Sequence, residues 1–308
     1  MRSAPIFPRR RNWQQWAPRH ARPWSARARI TYKESPYLPE WLLLRENLPR
    51  EMWSSAKLTI PAPTYQHIQL KAGTAWTAES GYKSDEEYLG DIAKCYAAEL
   101  QTLYDAGLRN IQIDDPHLTY FASSMFLSGC KKDGIDASAL LDSYLRTHNQ
   151  LLANTPKGLQ MGMHLCRGNF SGSVSWVEGS YEAIAEKLFK NTDYQTYYLE
   201  FDDVDRAGGF APLRFLPRGK NVVLGLVSTK TPGLEDPKVL KEKVYMAAKV
   251  IADAQGVDVS EALDCLGVSP QCGFSSSSLI GGTGFTEEIM WEKLELVRQV
   301  ASDVWGPG

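Results

Sequence analysis

From Lys57 onward, short apolar runs alternate with longer stretches of helical period, and this alternation limits the fold more than any other feature of the chain. The runs are Lys57-Leu58-Thr59-Ile60, closed by Pro61-Ala62-Pro63, then residues 110–114, 159–166, 196–201, 221–227 and 266–271. Between them the helix signals are chemical as well as periodic. Ser84-Asp85-Glu86-Glu87 is a capping box, opening a helix through Tyr88, Leu89, Ile92, Tyr96 and Leu100 that ends near Gly107. Helices are also predicted over 136–152, 180–189 and 286–305. Asp236-Pro237 starts another, with a capping acid before a proline at the first helical position. Strands separated by helices at this spacing make parallel βαβ units.

The chemically capable residues recur at the C-terminal ends of those strands. They are Asp114-Asp115, His164-x-Cys166, Glu200, Ser228-Thr229-Lys230 and Cys272. A (β/α)8 barrel gathers its active site on that rim. A doubly wound sheet would concentrate its site at one switch point, and the sequence has neither a glycine-rich dinucleotide loop nor a P-loop. The predicted fold class is therefore α/β, of the (β/α)8 TIM-barrel type.

Composition excludes several alternatives. The 34 Lys plus Arg against 36 Asp plus Glu give a net charge of -2, which argues against nucleic acid as an obligatory partner. No apolar run approaches the roughly 20 residues that span a bilayer. Five widely spaced cysteines do not form a secreted disulfide framework, so a reducing, cytoplasmic setting is expected. Residues 1–33 stand apart: they are rich in Arg, carry Trp13, Trp16 and Trp24, and contain no acid before Glu34. That composition suits a mitochondrial leader, but the prolines fit an amphipathic presequence helix poorly, and an irregular leader is the preferred expectation. A nucleic-acid-binding arm ranks third.

His164 and Cys166 sit two apart on a predicted strand, so both side chains point to one face. With Glu200 and Cys272 from other strand ends they offer N, S, O and S donors, a set that suits tetrahedral Zn²⁺. Singly, each is as easily a buried thiol or a solvated acid. Together, on strand ends, they predict a metal site. Cys95 and Cys265 lie in or beside apolar helix segments and are expected to be packing residues, and Cys130 is expected in a loop. His67 and His117 follow strands and could line the barrel mouth, but a lone loop histidine is more often a surface residue, and the surface is the preferred expectation. Arg167 and Asn169 could contact a substrate carboxylate or a folate, although Arg167 could equally pair with Asp202 or Asp203. Trp176, Phe274 and Ser275 to Ser278 are candidates for a ring-binding pocket.

His164-x-Cys166, the Glu200 strand end and Ser269-Pro270-Gln271-Cys272-Gly273-Phe274 resemble the cobalamin-independent methionine synthase family, in particular its single-barrel, C-terminal catalytic branch. Gln112-Ile113-Asp114-Asp115 is similar to that family's Gln-Ile-Asp-Glu strand end, and the likeness runs from about Lys57 to Trp305. It implies a zinc-bound homocysteine thiol that takes the N5-methyl group of a reduced folate. It also implies that Asp114 holds the substrate amino group, with Asp115 beside it where the family has Glu. The family protonates the departing amine from a histidine after the seventh strand, and by position Lys230 stands there, or Ser228 and Thr229 through a water.

The resemblance also identifies what is missing. Only six strands are read where a closed barrel needs eight, and the absent two are the first and second. Trp41-Leu42-Leu43-Leu44, between Pro39 and Arg45, looks like a helical turn and not a substitute strand. The expected layout is a basic, Pro- and Trp-rich, irregular segment over 1–56, followed by a catalytic barrel domain over 57–308 without its first two strands. Truncation is preferred to closure by a partner. Two functions follow: a zinc-dependent folate:thiol methyltransferase of methionine biosynthesis, or a non-catalytic zinc-binding relative. Different methyl donors or thiol acceptors stay open, as does the oligomeric state.

Overall fold

All six apolar runs are strands. The computed structural model describes residues 25–168, 177, 179–204, 208–274 and 284–307. In it the strands are β1 (Lys57–Pro61), β2 (Asn110–Asp114), β3 (Gln160–Leu165), β4 (Thr196–Glu200), β5 (Asn221–Val227) and β6 (Leu266–Pro270). They form a single six-stranded sheet in sequence order, and every neighbouring pair is parallel. Parallel neighbours require crossovers. The helices that supply or flank them are α1 (Leu38–Glu46), α2 (Tyr65–Gln69), α3 (Asp85–Asp105), α4 (Ser124–Lys132), α5 (Ala137–Ala153), α6 (Ala185–Asn191), α7 (Pro237–Gln255), α8 (Val259–Leu263) and α9 (Glu287–Trp305). Helix starts follow the predicted caps. The Ser84 hydroxyl accepts from the Glu87 amide at 3.3 Å, Asp136 from Ser138 and Ala139 at 2.9 and 3.1 Å, and Asp236 from Lys238 at 2.8 Å.

Strand alternation decides which side chains face the helices. Ile60, Ile111, Ile113, Val222 and Leu224 are buried toward that layer. Lys57, Thr59 and Pro61 on the opposite face of β1 are exposed, while Asn110, Gln112 and Asp114 on β2 are half-buried. That second face is the lumen side of a barrel wall. It is open because, among the described residues, β1 and β6 each have one unpaired edge, and the wall has six strands of an eight-stranded winding, as expected.

The stretch before β1 is a correction to the expected layout. Residues 25–56 were expected to be irregular, yet they contain α1 and are fastened along α3. Trp41 is fully buried and donates from its indole to the Ala106 carbonyl at 3.0 Å. Arg29 pairs with Glu87 at 2.8 Å and Asp91 at 3.1 Å, and Tyr32 and Ser35 both donate to Glu99 at 2.9 and 2.6 Å. The helical turn expected at Trp41 to Leu44 is part of α1, and Pro39 sits in its first turn, where its missing N–H costs nothing. The segment lies outside the wall and does not extend the sheet. Residues 1–24 lie outside the described residues. Cys130, expected in a loop, is buried within α4.

One buried carboxylate ties the wall together at the rim. Asp115, fully buried, accepts from the amides of His117 and Leu118 at 3.1 and 3.3 Å, from the Thr64 hydroxyl at 2.9 Å and from His148 Nε2 at 3.0 Å. His148 in turn contacts the Tyr194 hydroxyl at 2.8 Å. Burial alone would push the Asp115 pKa up, but the His148 contact and the other donors outweigh it and hold the carboxyl below its ordinary value.

Because Asp115→Ala orphans four buried donors, it should cost about 3–5 kcal/mol in denaturant unfolding. The folded pKa is depressed, so the stabilisation is complete above the ordinary carboxylate range and is lost as pH falls through and below it. The stability gap between wild type and Asp115→Asn should accordingly be flat near neutrality and shrink below about pH 4. A gap that grows on acidification would refute this assignment.

Candidate metal centre

Strand register brings the donors together. Asp114 of β2 pairs with His164 of β3, and His164 with Tyr198 of β4, so these residues stand at one height on one face of the wall. Glu200 follows two residues along β4 on that face, Cys166 lies just past β3, and Cys272 lies just past β6. One atom from each of His164, Cys166, Glu200 and Cys272 falls in a group within 4.8 Å of one another. The two thiols are 3.3 Å apart, Cys272 Sγ is 3.6 Å from His164 Nε2, and it lies 2.7 Å from Glu200 Oε1. The four ligands predicted from sequence are therefore one cluster.

The donors are oriented for a cation. His164 Nδ1 lies 3.0 Å from the Tyr198 carbonyl, which can only accept, so Nδ1 carries a proton and Nε2 is the nitrogen turned to the cluster. The Gly168 amide donates to Cys166 Sγ at 3.2 Å, which favours the thiolate. Gly162, one pleat below His164, admits the Tyr198 ring: a Cβ there would fall 2.5 Å from Tyr198 Cε2.

The four groups compete for protons. The Cys272 thiol, working against burial and joined by His164, draws the Cys166 pKa well below the usual thiol range. Cys272 moves the other way, pressed up by Cys166, by burial and by Glu200. Against the effect of burial, Cys166, Asp114 and Glu200 raise His164 to about 9. Such a cluster holds protons in place of a cation and releases them when one binds. Tetrahedral zinc, with bonds of roughly 2.0–2.3 Å, separates its ligands by about 3.3–3.8 Å; the thiol–imidazole spacing of 3.6 Å lies in that span, while the thiols at 3.3 Å and Cys272 with Glu200 at 2.7 Å stand at hydrogen-bonding distance and would part to admit the ion. The residues fit zinc.

The other predicted site residues divide. Asp114 lies at the rim, where burial raises its pKa, and accepts from Gln112 Nε2 at 2.7 Å. Gln112 Oε1 in turn accepts from Lys57 Nζ at 2.6 Å. Asp115, expected beside it as a second acid of the site, has both oxygens engaged in fastening the β2 end. Lys230 is buried with its ammonium 4.0 Å from Glu200 Oε2. Its loop is clamped by Gln271, which accepts from the Thr229 amide at 3.1 Å, and by Glu235, which accepts from the Ser228 amide at 2.8 Å and pairs with Lys293 at 3.1 Å. Arg167 turns away from the Asp202 and Asp203 pairing considered for it. It donates from Nη1 to the Gly179 carbonyl and lies over the Tyr181 ring at 4.1 Å.

His117, expected at the surface, is buried between Tyr65 and Tyr120. His67 is likewise enclosed, 3.1 Å from Asp85 and 2.8 Å from the Tyr144 hydroxyl. Phe274 meets Phe285 with ring centroids 5.8 Å apart. Asn169, Trp176 and Ser275 to Ser278 lie outside the described residues. Gln271, Glu235, Lys293 and Tyr181 escaped the sequence reading. Only the place of Gln271 beside Cys272 could have signalled one of them.

Comparison with known proteins agrees with this geometry. Residues 72–279 match the model of the family described as cobalamin-independent synthase, catalytic domain. The chain is 34% identical over 278 residues to Bacillus subtilis YxjH and 35% identical over 254 residues to YxjG of the same organism, both uncharacterized. These matches cover 90% and 82% of this chain but 68% and 62% of the two relatives. The methionine synthase of Pyrococcus abyssi is 25% identical over 211 residues, covering 67% of this chain and 49% of that protein. A Listeria monocytogenes structure designated a vitamin-B12 independent methionine synthase superposes with a TM-score of 0.67 at 26% identity, covering 90% of this chain and 72% of that one. The matched region carries the fold and all four clustered donors, and the chain belongs to the cobalamin-independent methionine synthase catalytic-domain family.

Proposed function

We propose that this chain is a zinc-dependent methyltransferase that moves a methyl group from a reduced folate to a homocysteine-like thiol, a step of methionine biosynthesis. The observation that carries the reading is the His164, Cys166, Glu200 and Cys272 cluster on one rim of a parallel wall. Zinc at these donors would supply a Lewis acid that keeps the substrate thiol as its thiolate at neutral pH. A new S–C bond then forms as the C–N5 bond breaks, and the departing amine must take up a proton.

The chain's own residues do the rest. Asp114, held by the Lys57–Gln112 relay, receives the substrate ammonium beside His164. Lys230, enclosed next to Glu200, holds the proton destined for N5. No helix among the described residues is long and apolar enough to cross a membrane.

A second reading has one observation in its favour. The lumen face of β1 is exposed where two further strands would cover it. On that reading the chain binds zinc without catalysing transfer.

Purified protein should hold about one zinc per chain by metal analysis. Cys166→Ala and Cys272→Ala should each abolish tight binding while Cys95→Ala keeps it, and equal retention in all three would sink the ligand assignment. Methionine formed from methyl-folate and homocysteine tests the reaction itself. Lys230→Met should lower its rate by about 10²–10⁴-fold with zinc retained. Zinc bound without any transfer by the wild type would favour the non-catalytic reading.

A further inference from the structure

We propose that Arg167 is a carboxylate receptor built into the wall beside the metal cluster, and that it reads the acid group of a substrate. The proposal rests on the methyltransferase reading for the identity of that substrate, but not for the existence of the site. Arg167 follows Cys166 directly and is 1% exposed. Its Nη1 is spent on the Gly179 carbonyl. Its Nε and Nη2 are both buried and have no hydrogen-bond partner. Those two atoms are the side-on fork of the guanidinium, whose parallel N–H bonds match the two oxygens of a carboxylate. An arginine cannot shed its charge by losing a proton. A buried, permanently charged group with half its donors idle is a standing deficit, and a bidentate oxyanion is the group that cancels it.

The surroundings are constructed for this arrangement. Gly179 has φ +131°, and a Cβ there would lie 2.7 Å from the Ala122 carbonyl oxygen, so only glycine brings this carbonyl to Nη1. The Tyr181 ring faces the guanidinium at 4.1 Å and holds it by cation–π attraction. The Tyr181 hydroxyl donates to the Leu165 carbonyl at 3.0 Å and accepts from the Glu200 amide at 3.1 Å. Arg167 is thus fixed to the same β3 and β4 ends that carry Cys166 and Glu200. Both substrates of the proposed reaction bear carboxylates, the α-acid of the thiol amino acid and the glutamate of the folate.

The test uses the zinc-loaded full chain and calorimetric titration. Homocysteine is compared with its decarboxylated analogue 3-aminopropanethiol, and methyl-tetrahydrofolate with its glutamate dimethyl ester, which carries no carboxylate. One of the two pairs should differ by about 10- to 100-fold in wild type, the worth of charge-assisted hydrogen bonds. That difference should vanish in Arg167→Met and survive in part in Arg167→Lys. The pair that responds identifies which acid is read. A discrimination unchanged by Arg167→Met would overturn the proposal.

Formate alone supplies an arm independent of the reaction. It should raise the melting temperature of the wild type and not that of Arg167→Met, and an equal response in both would also overturn it. If no thiol and no folate binds but the formate effect holds, the methyltransferase reading fails while the receptor stands. Zinc content equal to wild type in Arg167→Met shows that the neighbouring Cys166 is undisturbed.

Discussion

Everything at the rim depends on the in-register parallel pairing of β2, β3 and β4. Because Asp114, His164 and Tyr198 are paired neighbours, their heights and faces are set by backbone hydrogen bonds and not by side-chain packing. A one-residue slip of β3 would turn His164 and Cys166 to the helix side together. The Asp115 carboxylate guards against that slip from two directions. Its side chain binds the segments after β1 and β2 and the α5 histidine, and its own amide donates to the His164 carbonyl at 2.8 Å. The residue beside the chemistry thus makes the chemistry's geometry rigid, and its burial is the reason it can.

The rim is also a problem in charge. Two thiols, two carboxylates and an imidazole crowd one end of the wall, and their mutual influence drives one thiol down and the other up. Burying such a set is tolerable only with compensating positive charge. Part of it comes from the chain itself: Lys230 stands by Glu200, and the guanidinium of Arg167 lies behind the same strand ends. The remainder is the share a divalent cation would carry. The buried cations do not neutralise the cluster by direct pairing with its thiols, so the sulfur donors stay turned toward each other and toward His164.

How much of this could be read in the sequence follows from how local each signal is. Strand runs, caps and the period-two placement of His164 and Cys166 are local, and all six strands and the four clustered donors were legible. The α1 segment was legible only as a helical turn at Trp41 to Leu44, because the Ala106 carbonyl that anchors Trp41 lies 65 residues away. Asp115 was legible as a polar strand end but not as a fastening, since its partners Thr64 and His148 are 51 and 33 residues away. His117 and His67 fail in the same way: a lone histidine in a segment after a strand looks exposed until aromatic rings elsewhere in the fold close over it. The Glu235–Lys293 pair, 58 residues apart, is invisible without the fold.

The open wall bears unequally on the two halves of the site. His164 and Glu200 lie on strands paired on both sides, so their positions do not rest on the absent strands. Cys272 follows an edge strand, but β6 is anchored there by the Gln271 amide on the Val227 carbonyl at 2.9 Å and by the Gln271 side chain on the Thr229 amide. The metal half is therefore self-supporting. The half that would receive the amino acid is less so, because Asp114 is steadied through Gln112 by Lys57, and Lys57 stands on the other edge strand with its face to solvent. With the outer edge of β1 unpaired among the described residues, the relay to Asp114 stands open to water, which weakens each of its hydrogen bonds relative to a dry lumen. Binding of zinc and binding of the thiol amino acid should thus respond differently to the opening of this wall, the first surviving it and the second carrying its cost.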